Sequence, residues 1–554
     1  MNGIRKAYYV CRYLGPRFVA VRVKLLLDKR LGRTRRVFAS RDWADIDLHE
    51  VTKSGTPSDA EGYAAFKRRQ AIPFLFPLGR PPEIAASMRI GGLARGSLRQ
   101  PELHERVKLL AEGRCVYFLQ RTSPAAIDWY VNPFDGTRGR SGVPWYDIAD
   151  FEPEQGDPRM LWEASRGAWA IDLARAQGAP QPGATHPGQA PPRSREEAET
   201  YWRWVESWME ACRPWEGFQW KCGQEASVRM IALTLGFRAF ADDRATTAER
   251  WVRFARLAWA TGYRVFHHIG YAVSQKNNHA LSEACGLMLV AHLFPEFREA
   301  ARWGETGRAV FARELRRQIY DDGSYVQHSM NYHRVMLDVS LAAFRLAELA
   351  GRPFERDLYE RVGKAGEFLY QMTDADTGCA PNYGNNDGAS VLPLSECAFG
   401  DFRPAVQAVH YLVHRERLLP PGPWDEELVW LFGEGDANHG ATAPRSHEEA
   451  PFGKGGSGDG TSVPHPKGWG ARESRAFEAG GYYTLRRGES WAMVRCHTYL
   501  DRPGQCDPLH VDLWWRGVNV LRDCGTFRYY LSGRPDVGEY FSSAAAHNTV
   551  EISG

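Results

Sequence analysis

The chain has 554 residues, with 70 Lys and Arg against 67 Asp and Glu, and 43% of its residues are hydrophobic. This composition excludes a disordered chain, and a net charge of only +3, spread along the sequence, argues against a protein that tracks nucleic-acid phosphates. The length is sufficient for two or three domains with large cores. The 19 Trp and 23 Tyr suit both core filling and contact with the apolar faces of sugar rings.

The N-terminal thirty residues lack the uninterrupted apolar core of a secretory signal peptide, because Arg12, Arg17, Arg22 and Lys24 interrupt it. No later stretch is long and apolar enough to predict a transmembrane segment. The ten Cys are scattered without a CxxC pair, which favours a reduced compartment. A cytoplasmic protein is therefore expected, with a periplasmic or envelope-associated location as the alternative. The basic opening segment is interpreted as a solvated amphipathic helix or as a segment resting on a membrane surface or a partner.

Residues 1–150 are predicted to form an irregular, partly helical N-terminal region, because short apolar runs alternate there with Pro and Gly. From about residue 157 to residue 433, apolar residues recur at the i, i+3, i+4 and i+7 spacing of amphipathic helices. Short connections favour antiparallel helix pairs, either stacked in an array or closed into a ring. The predicted helical segments are 157–176, 194–212, 223–242, 246–273, 278–293, 296–319, 331–350 and 354–373.

Several helix ends are readable in the sequence. Ser194 with Glu197 three residues later is typical of a capping box, and Pro295 is interpreted as the opening of another helix. Gly351 followed by Pro353 predicts a helix end. Residues 434–475, rich in Gly, are predicted to be a linker. Residues 476–554 alternate apolar and polar side chains between Gly-containing turns, including a final HNTVEIS, which predicts antiparallel β-sheet forming one layer of a sandwich.

Two polar clusters lie at the starts of predicted helices. The first places Asn277, Asn278 and His279 before an apolar helix. Asn278 is interpreted either as the N-cap of that helix or as a functional side chain. The second cluster crowds five polar groups into nine residues, which packing alone does not explain: Tyr325, His328, Asn331, Tyr332 and His333.

A third cluster lies in the sequence APNYGNNDGAS, where asparagines and an aspartate sit among glycines. Tight turns and a functional loop are equally good explanations of this composition, because Asn and Gly are the residues that turns with positive φ require. The residues concerned are Asn382, Asn385, Asn386 and Asp387.

The fourth cluster is spread over the β segment. His510 and Asp512 share one face of a predicted strand, since side chains alternate along a strand, and both can point into one site. Together with Asp523 and His547 they are chemically suited to a divalent metal. Tyr540 completes the cluster.

Six ordered segments carry a resemblance that no single one would establish. Together they resemble the heparinase II/III-like polysaccharide lyases, from residue 157 to residue 554, whereas the first 150 residues are not covered. The segments are DPRMLWEASR (157–166), WKCGQEASVRM (220–230), NNHALSEA (277–284), DGSYVQHSMNYHR (322–334), HVDLWW (510–515) and SSAAAHNTVEISG (542–554).

This resemblance implies an α+β multidomain fold, in which an (α/α) toroid of helical hairpins is followed by an antiparallel β-sandwich, with a long groove between them. The toroid is assigned to residues 151–433 and the sandwich to residues 476–554. Because this β segment is shorter than is usual in the family, the sandwich is expected to be either complete in a reduced form or truncated.

The resemblance also implies a carbon–oxygen lyase that cleaves a uronic-acid-containing polysaccharide by β-elimination. That reaction requires a neutralised carboxylate, a base for the C5 proton and an acid for the departing glycosidic oxygen. By position in the matching motifs, Asn278 and His279 neutralise the carboxylate. Tyr332 is the acid, and in some stereochemical cases also the base, while His510 is the other base or a charge stabiliser. Substrate binding is expected from Tyr325, His333, Asn385, Asn386 and Tyr540.

A structural divalent metal is implied as well, with zinc, manganese or calcium held by Asp512, Asp523 and His547 and bracing the strands that present His510. No organic cofactor is expected. The partner is an anionic polysaccharide rather than a nucleic acid. The absence of an export signal suggests a role in exopolysaccharide metabolism. The polymer, endo or exo action and the oligomeric state are left open by the sequence.

Two alternatives to a lyase are considered. A glycoside hydrolase on the same toroid would need two carboxylates across the scissile bond, for which Glu283, Asp322 and Asp387 are the candidates. A catalytically inactive, polysaccharide-binding scaffold is the other alternative.

Overall fold

The computed structural model describes residues 15–70, 72–75, 102–149, 156–177, 195–433, 469–497, 504–526 and 534–551, together with Tyr8, Cys11 and Arg12. Ser194 and most of the predicted linker, residues 434–468, lie outside these ranges. Among the described helices, none is both long and apolar enough to cross a membrane.

The N-terminal region contains helices separated by loops, and a two-stranded antiparallel hairpin. Gly15 and Pro16 start the helix at residues 16–30, since Pro lacks the N–H that a first helical residue leaves unbonded. The elements are α1 (Pro16–Arg30), α2 (Arg33–Val37), α3 (Leu48–Val51), α4 (Ala60–Gln70), α5 (Leu103–Ala111), β1 (Val116–Tyr117) and β2 (Arg121–Thr122).

Twelve helices follow between residues 158 and 432 of the described chain. Most agree with the predicted segments, and Gly351 ends a helix at a positive φ of 66°, as predicted. The helices are α6 (Pro158–Trp162), α7 (Ala168–Ala176), α8 (Arg195–Ala211), α9 (Gly223–Phe240), α10 (Ala248–Phe266), α11 (Ile269–Gln275), α12 (Asn278–Leu293), α13 (Ala300–Gln318), α14 (Met330–Leu349), α15 (Arg356–Gln371), α16 (Arg403–His414) and α17 (Asp425–Phe432).

Three predicted helix boundaries differ from the structure. The segment 157–176 is divided at Gly167, whose φ of 87° is incompatible with a continuous helix. The segment 246–273 is divided at His267 and His268 into α10 and α11. Pro295 does not open a helix, because α13 begins at Ala300. Apolar spacing continues across these breaks and therefore does not reveal them.

Aromatic side chains fill the core of the helical body. Trp162 stacks on Phe218 with ring centroids 4.9 Å apart, and Phe237 stacks on Phe254 at 4.1 Å. Most of the described Trp side chains therefore serve packing rather than contact with a ligand. The fully buried Trp residues are Trp202, Trp208, Trp215, Trp220, Trp303 and Trp430.

A five-stranded antiparallel meander forms the C-terminal sheet, in which each strand pairs with the next one along the chain. Over residues 547–551, the described part of HNTVEIS, the predicted strand is not formed; the Asn548 carbonyl accepts from the Val511 N–H, and the Asn548 N–H donates to the ring of His510. Helices followed by an antiparallel sheet confirm the predicted α+β fold class. The strands are β3 (Arg475–Phe477), β4 (Tyr482–Arg487), β5 (Ser490–Arg495), β6 (Val511–Trp515) and β7 (Val518–Leu521), and α18 (Pro535–Ser542) follows them.

The sheet is attached to the helical body through close polar contacts. The Gly480 N–H donates to Asp322 Oδ2 at 2.9 Å, and a Cβ on Gly480 would lie 2.0 Å from Ser324 Oγ, so only glycine allows this approach. Buried Arg495 in β5 donates from Nε to the hydroxyl of Tyr383 at 2.9 Å. These contacts place one end of the sheet beside the loops that precede α14 and follow α15.

Candidate active site

The turn into α12 decides which asparagine caps this helix. Lys276 adopts the left-handed conformation with φ of 53°, and the chain then reverses into the helix. Asn277 is the N-cap, and its side-chain oxygen accepts from the His279 N–H at 3.2 Å. The interpretation of Asn278 as the N-cap is therefore wrong, and its side chain is available for another task.

Asn278 is 2% exposed, and its backbone N–H donates to Gln327 Oε1 at 2.8 Å. Its side-chain Nδ2 has no hydrogen-bond partner among the described residues. A buried amide donor without a partner costs free energy, so such groups are uncommon in folded proteins unless a ligand or water meets them. Asn278 Nδ2 is thus a donor that a carboxylate could satisfy.

His279 is half-buried beside Asn278 and contacts a thiol that precedes another helix. Cys222 Sγ lies 3.7 Å from His279 Nδ1. Burial raises the pKa of the Cys222 thiol to about 12, with Glu225 and Glu283 adding to the effect. A protonated thiol donates to Nδ1, which leaves the hydrogen of a neutral imidazole on Nε2. His279 can then act as a second donor toward a carboxylate.

Tyr332 lies in the first turn of α14 and is 9% exposed. Its backbone N–H donates to the Ser329 hydroxyl at 3.1 Å, and this hydroxyl donates to the carbonyl oxygen of Asn385 at 2.5 Å. The N-cap of α14 therefore connects the tyrosine with the asparagine loop. Gln327, two residues before the cap, connects the same turn with Asn278.

The N-termini of α9, α12 and α14 meet in this region, as the contact of Cys222 with His279 and the hydrogen bond between Gln327 and Asn278 show. Ser282 in α12 also donates to Gln224 in α9 at 3.3 Å. Each helix N-terminus carries a partial positive charge and backbone N–H groups without intrahelical partners. The combined field favours an anionic group at this end of the helical body.

The remaining residues of the second cluster lie in the interior. Tyr325 is buried, and its hydroxyl donates to Gln318 Oε1 at 3.0 Å and lies 3.2 Å from Gln327 Oε1. His333 contacts α15 rather than the start of α12, because its Nε2 donates to the Ala365 carbonyl at 2.8 Å. Burial lowers the pKa of His333 to about 4. The structure thus brings Tyr325 to the site indirectly, through Gln327, and does not bring His333 to it.

The asparagine loop follows α15 and borders the sheet. The Asn386 N–H donates to Thr526 Oγ1 at 3.0 Å, and the Asn386 carbonyl accepts from Arg159 Nη1 at the same distance. Asp387 is buried and accepts from Asn331 Nδ2 at 3.2 Å. The loop is therefore held from three sides, by the helical body, α14 and the sheet.

A cavity of about 950 Å³ lies between this loop and strands β6 and β7, large enough for several sugar rings. It combines aromatic faces with amide groups and one guanidinium group, which suits an acidic carbohydrate. Its lining includes Phe118, Asn382, Asn386, Phe399, Trp514 and Arg522. Tyr540, on α18, is 49% exposed and does not line this cavity.

His510 is completely buried at the start of β6. Its Nδ1 accepts from the Asn548 N–H at 3.1 Å, so Nδ1 carries no hydrogen. Its Nε2 has no hydrogen-bond partner among the described residues and lies 3.7 Å from Asp523 Oδ2 and 3.9 Å from Asp512 Oδ2. His510 therefore faces the predicted metal ligands, and the role of base stays a prediction.

The other predicted metal ligands surround the same point. His547 Nδ1 lies 2.9 Å from Asp523 Oδ2; burial opposes the charged imidazole, but the hydrogen bond and charge of Asp523 raise its pKa above the ordinary value. His547 Nε2 is buried without a partner among the described residues. Ligand atoms of His510, Asp523 and His547 lie within 4.8 Å of one another. Asp512 lies beside them, and its Oδ1 accepts from Trp514 Nε1 at 2.6 Å.

Two of the three carboxylates considered for a hydrolase, Asp322 and Asp387, are used in internal contacts. Glu283 is buried against Gly223, its Oε2 has no hydrogen-bond partner among the described residues, and burial raises its pKa to about 8. Asp322 accepts from the N–H groups of Ser324 and Gly480, and Asp387 pairs with Arg166. Among the described candidates, Glu283 therefore lacks a second carboxylate that is free to face it across a scissile bond.

Sequence reasoning did not single out Cys222, Gln327, Tyr383 or Arg495. Cys222 and Gln327 hold His279 and Asn278, and Tyr383 lies between Arg495 and His510, with its ring centroid 5.7 Å from that of His510. Cys222 and Gln327 lie inside two of the segments that resemble the family, so the resemblance could have indicated them as site residues. Tyr383 adjoins the asparagine loop.

Comparison with known proteins gives consistent matches over most of the chain. The family model described as Heparinase II/III N-terminus matches residues 114–391, and that described as Heparinase II/III-like, C-terminal matches residues 470–554. The likeness therefore begins before residue 157. A crystal structure of heparinase III has a TM-score of 0.54 at 16% identity, covering 92% of this chain and 71% of that chain, which shows likeness of fold.

Two curated relatives are heparin-sulfate lyases. That of Bacteroides thetaiotaomicron is 25% identical over 299 residues, which cover 51% of this chain and 38% of the relative. That of Bacteroides stercoris is 30% identical over 161 residues, which cover 29% of this chain and 23% of the relative. The matches thus span less than two fifths of either relative's length.

Proposed function

The chain belongs to the heparinase II/III family, and on this basis we propose that it is a polysaccharide lyase that cleaves a uronic-acid-containing polysaccharide by β-elimination. The observation that carries the proposal is the buried amide of Asn278, which has no partner among the described residues and lies beside His279 where three helix N-termini meet. A uronate carboxylate supplies the acceptor that this donor lacks. The partial positive charges of these helix N-termini also lower the free-energy cost of the negative charge that develops when the C5 proton leaves.

In the proposed reaction, a base removes the C5 proton, and the electron pair of the C5–H bond forms the C4–C5 double bond. The C4–O bond breaks, and the glycosidic oxygen leaves with a proton from an acid. Tyr332 is proposed as the acid, because it lies in the first turn of α14, and Gln327 in the turn before this helix bonds to the Asn278 N–H. Tyr332 or His510 is proposed as the base, and the complete burial of His510 favours Tyr332.

Heparin-type glycosaminoglycans are proposed as the first substrate class, because the two curated relatives are heparin-sulfate lyases. The cavity beside the asparagine loop, with Arg522 and several amides, suits such an acidic polymer. The role in exopolysaccharide metabolism stays a prediction.

Incubation with a panel of uronate polymers tests the proposal. We expect near-ultraviolet absorbance to rise, because each elimination leaves a conjugated, unsaturated uronate at the new non-reducing end. New reducing ends without this absorbance would instead indicate hydrolysis, and no change on any polymer would favour a binding scaffold. Asn278→Ala serves as the paired variant, in which we expect the rise to be slowed because the carboxylate loses one donor.

We also propose a divalent metal at His510, Asp523 and His547, with Asp512 as a neighbouring ligand. Two imidazole nitrogens without partners and a carboxylate fit this interpretation, and the mixed nitrogen and oxygen ligands favour zinc or manganese over calcium. A bound metal would supply structural support, since these residues join the start of β6 to the segments at 523 and 547. No step of the elimination passes through it.

Removing the metal is expected to destabilise the protein. At a free metal concentration about 100-fold above Kd, binding would contribute about 2.7 kcal/mol to the free energy of unfolding. Thermal unfolding with and without a chelator, followed by addition of zinc, manganese or calcium, measures the effect. Asp523→Asn should lose the response, whereas Asp536→Asn, which changes an exposed pair with Arg534, should keep it. An unchanged Tm, with no metal detected by elemental analysis, would contradict the proposal.

A further inference from the structure

Helix α1 presents two different faces. Its inner face carries half-buried residues at helical spacing, Phe18, Val21, Arg22 and Leu25. Arg22 attaches this face to α11, because its Nη2 donates to the Tyr271 hydroxyl at 2.7 Å and its guanidinium lies 4.2 Å from the centre of the Tyr271 ring. The helix is therefore seated on the helical body with a defined orientation.

The outer face of α1 is apolar and exposed. Five aliphatic residues follow the i, i+4, i+7, i+8 and i+12 spacing, which places them in one stripe along the helix. They are between 36% and 60% exposed in the described structure, although side chains of this size are usually buried. The outer stripe consists of Val19, Val23, Leu26, Leu27 and Leu31.

Basic residues lie along one border of the outer stripe and at its C-terminal end. Between residues 15 and 36 there are eight Lys and Arg and one Asp; Arg17 and Lys24 are exposed beside the stripe, and Arg30 is exposed within its last turn. An exposed apolar stripe with a basic border is the pattern of helices that lie in the plane of a membrane interface. Each basic residue near an anionic bilayer surface adds a favourable interaction.

We propose that the outer stripe of α1 docks the protein on a bilayer surface that contains anionic lipid, with the aliphatic side chains buried at the boundary between headgroups and acyl chains. Charge complementarity favours this partner over a second copy of the chain. Two copies meeting through the stripe would bring two strongly basic segments together, and like charges repel at such an interface.

Docking through α1 also orients the candidate active site. The helix lies on α11, which ends at Gln275, three residues before Asn278. A protein held by α1 therefore keeps the start of α12 at a constant position relative to the bilayer. The docking proposal does not depend on the proposed lyase activity.

Flotation of the full chain with lipid vesicles tests the proposal. We expect binding to vesicles of phosphatidylcholine with about 30% phosphatidylglycerol and much weaker binding to phosphatidylcholine alone. Raising the salt from about 0.1 M to about 0.5 M should weaken binding, because salt screens the electrostatic attraction between the basic residues and the anionic lipid headgroups. The double variant Leu26→Glu/Leu27→Glu should bind at least about tenfold more weakly, since two exposed aliphatic side chains no longer enter the bilayer.

A matched control replaces exposed apolar residues on the sheet. Leu485→Glu/Val518→Glu adds the same charge at positions that are 57% and 60% exposed, and it should bind vesicles like the parent chain. Unchanged thermal unfolding of both variants shows that they fold. Absence of binding to anionic vesicles would overturn the proposal, as would equal binding by the Leu26→Glu/Leu27→Glu variant. Dimerisation that this variant abolishes, without vesicle binding by the parent, would assign the stripe to a second copy instead.

Discussion

Replacing Tyr332 with Phe is expected to lower kcat/KM for eliminative cleavage by about 10²–10⁴-fold, the usual contribution of a general acid or base. The substitution removes only the hydroxyl, so the ring keeps its place in the first turn of α14. Without this hydroxyl the glycosidic oxygen must leave unprotonated, and if Tyr332 is also the base, C5 deprotonation is lost too. The rate of unsaturated-uronate formation measures the effect.

Tyr201→Phe is the matched control for this prediction. Its hydroxyl donates to the Leu233 carbonyl at 2.8 Å in the core between α8 and α9, far from any proposed reaction step. Losing that bond should cost about 1 kcal/mol of stability and leave the reaction unchanged. If Tyr332→Phe cleaved at the parent rate while folded, Tyr332 would not be the acid.

Replacing Arg166 with Leu is expected to destabilise the protein by about 3–5 kcal/mol. The guanidinium is buried with three carboxylates: Arg166 Nε donates to Glu225 at 2.7 Å, Nη1 lies 3.2 Å from Glu163, and Nη2 lies 3.3 Å from Asp387. Leucine matches the aliphatic part of the side chain but leaves the three carboxylates without their cation. Urea unfolding measures the change.

The loss should grow with pH. Burial already raises the pKa of Glu163 to about 7, although Arg166 and the Phe118 N–H oppose that effect. Without the guanidinium, the pKa of Glu163 rises further, because the cation that opposed the effect of burial is gone. The folded variant then holds protons that the unfolded chain releases near its ordinary pKa, so stability falls as the pH rises from about 5 to about 8.

Arg138→Leu controls for the loss of an arginine as such. Arg138 pairs with Asp128 at 2.6 Å, but both side chains are about half exposed, so the expected change is at most about 1 kcal/mol. Equal effects of the two substitutions would contradict the structural role assigned to Arg166.

The sequence predicted the helical body well, because amphipathic spacing is local and each helix buries one stripe. It missed the breaks at Gly167 and at His267–His268, since apolar residues continue at helical spacing through them. It also predicted a strand in HNTVEIS that does not form over residues 547–551, the part of this segment that the structure describes. There the alternating pattern is overridden, because the Asn548 backbone bonds to His510 and Val511.

The sequence predicted which residues belong to the candidate site, but it did not predict how their side chains are arranged. Asn278, His279 and Tyr332 lie at helix starts, as the sequence suggests, but the cap that leaves the Asn278 amide available belongs to Asn277. His333 neighbours Tyr332 in sequence, yet one residue is about 100° of rotation on a helix, so it faces α15 instead.

By itself, the sequence determined the order of helices and strands, the family resemblance and the residues from which a site could be built, because periodicity and motif order are properties of neighbouring positions. Only the tertiary structure decided which of these residues meet. His510 faces Asp523 and His547 because strand pairing brings them together with a hydrogen bond from the Asn548 backbone N–H to the His510 ring, 38 positions away. Cys222 reaches His279 from 57 positions away because α9 packs against α12. Such contacts depend on how helices and strands pack across the whole chain, and no local pattern records them.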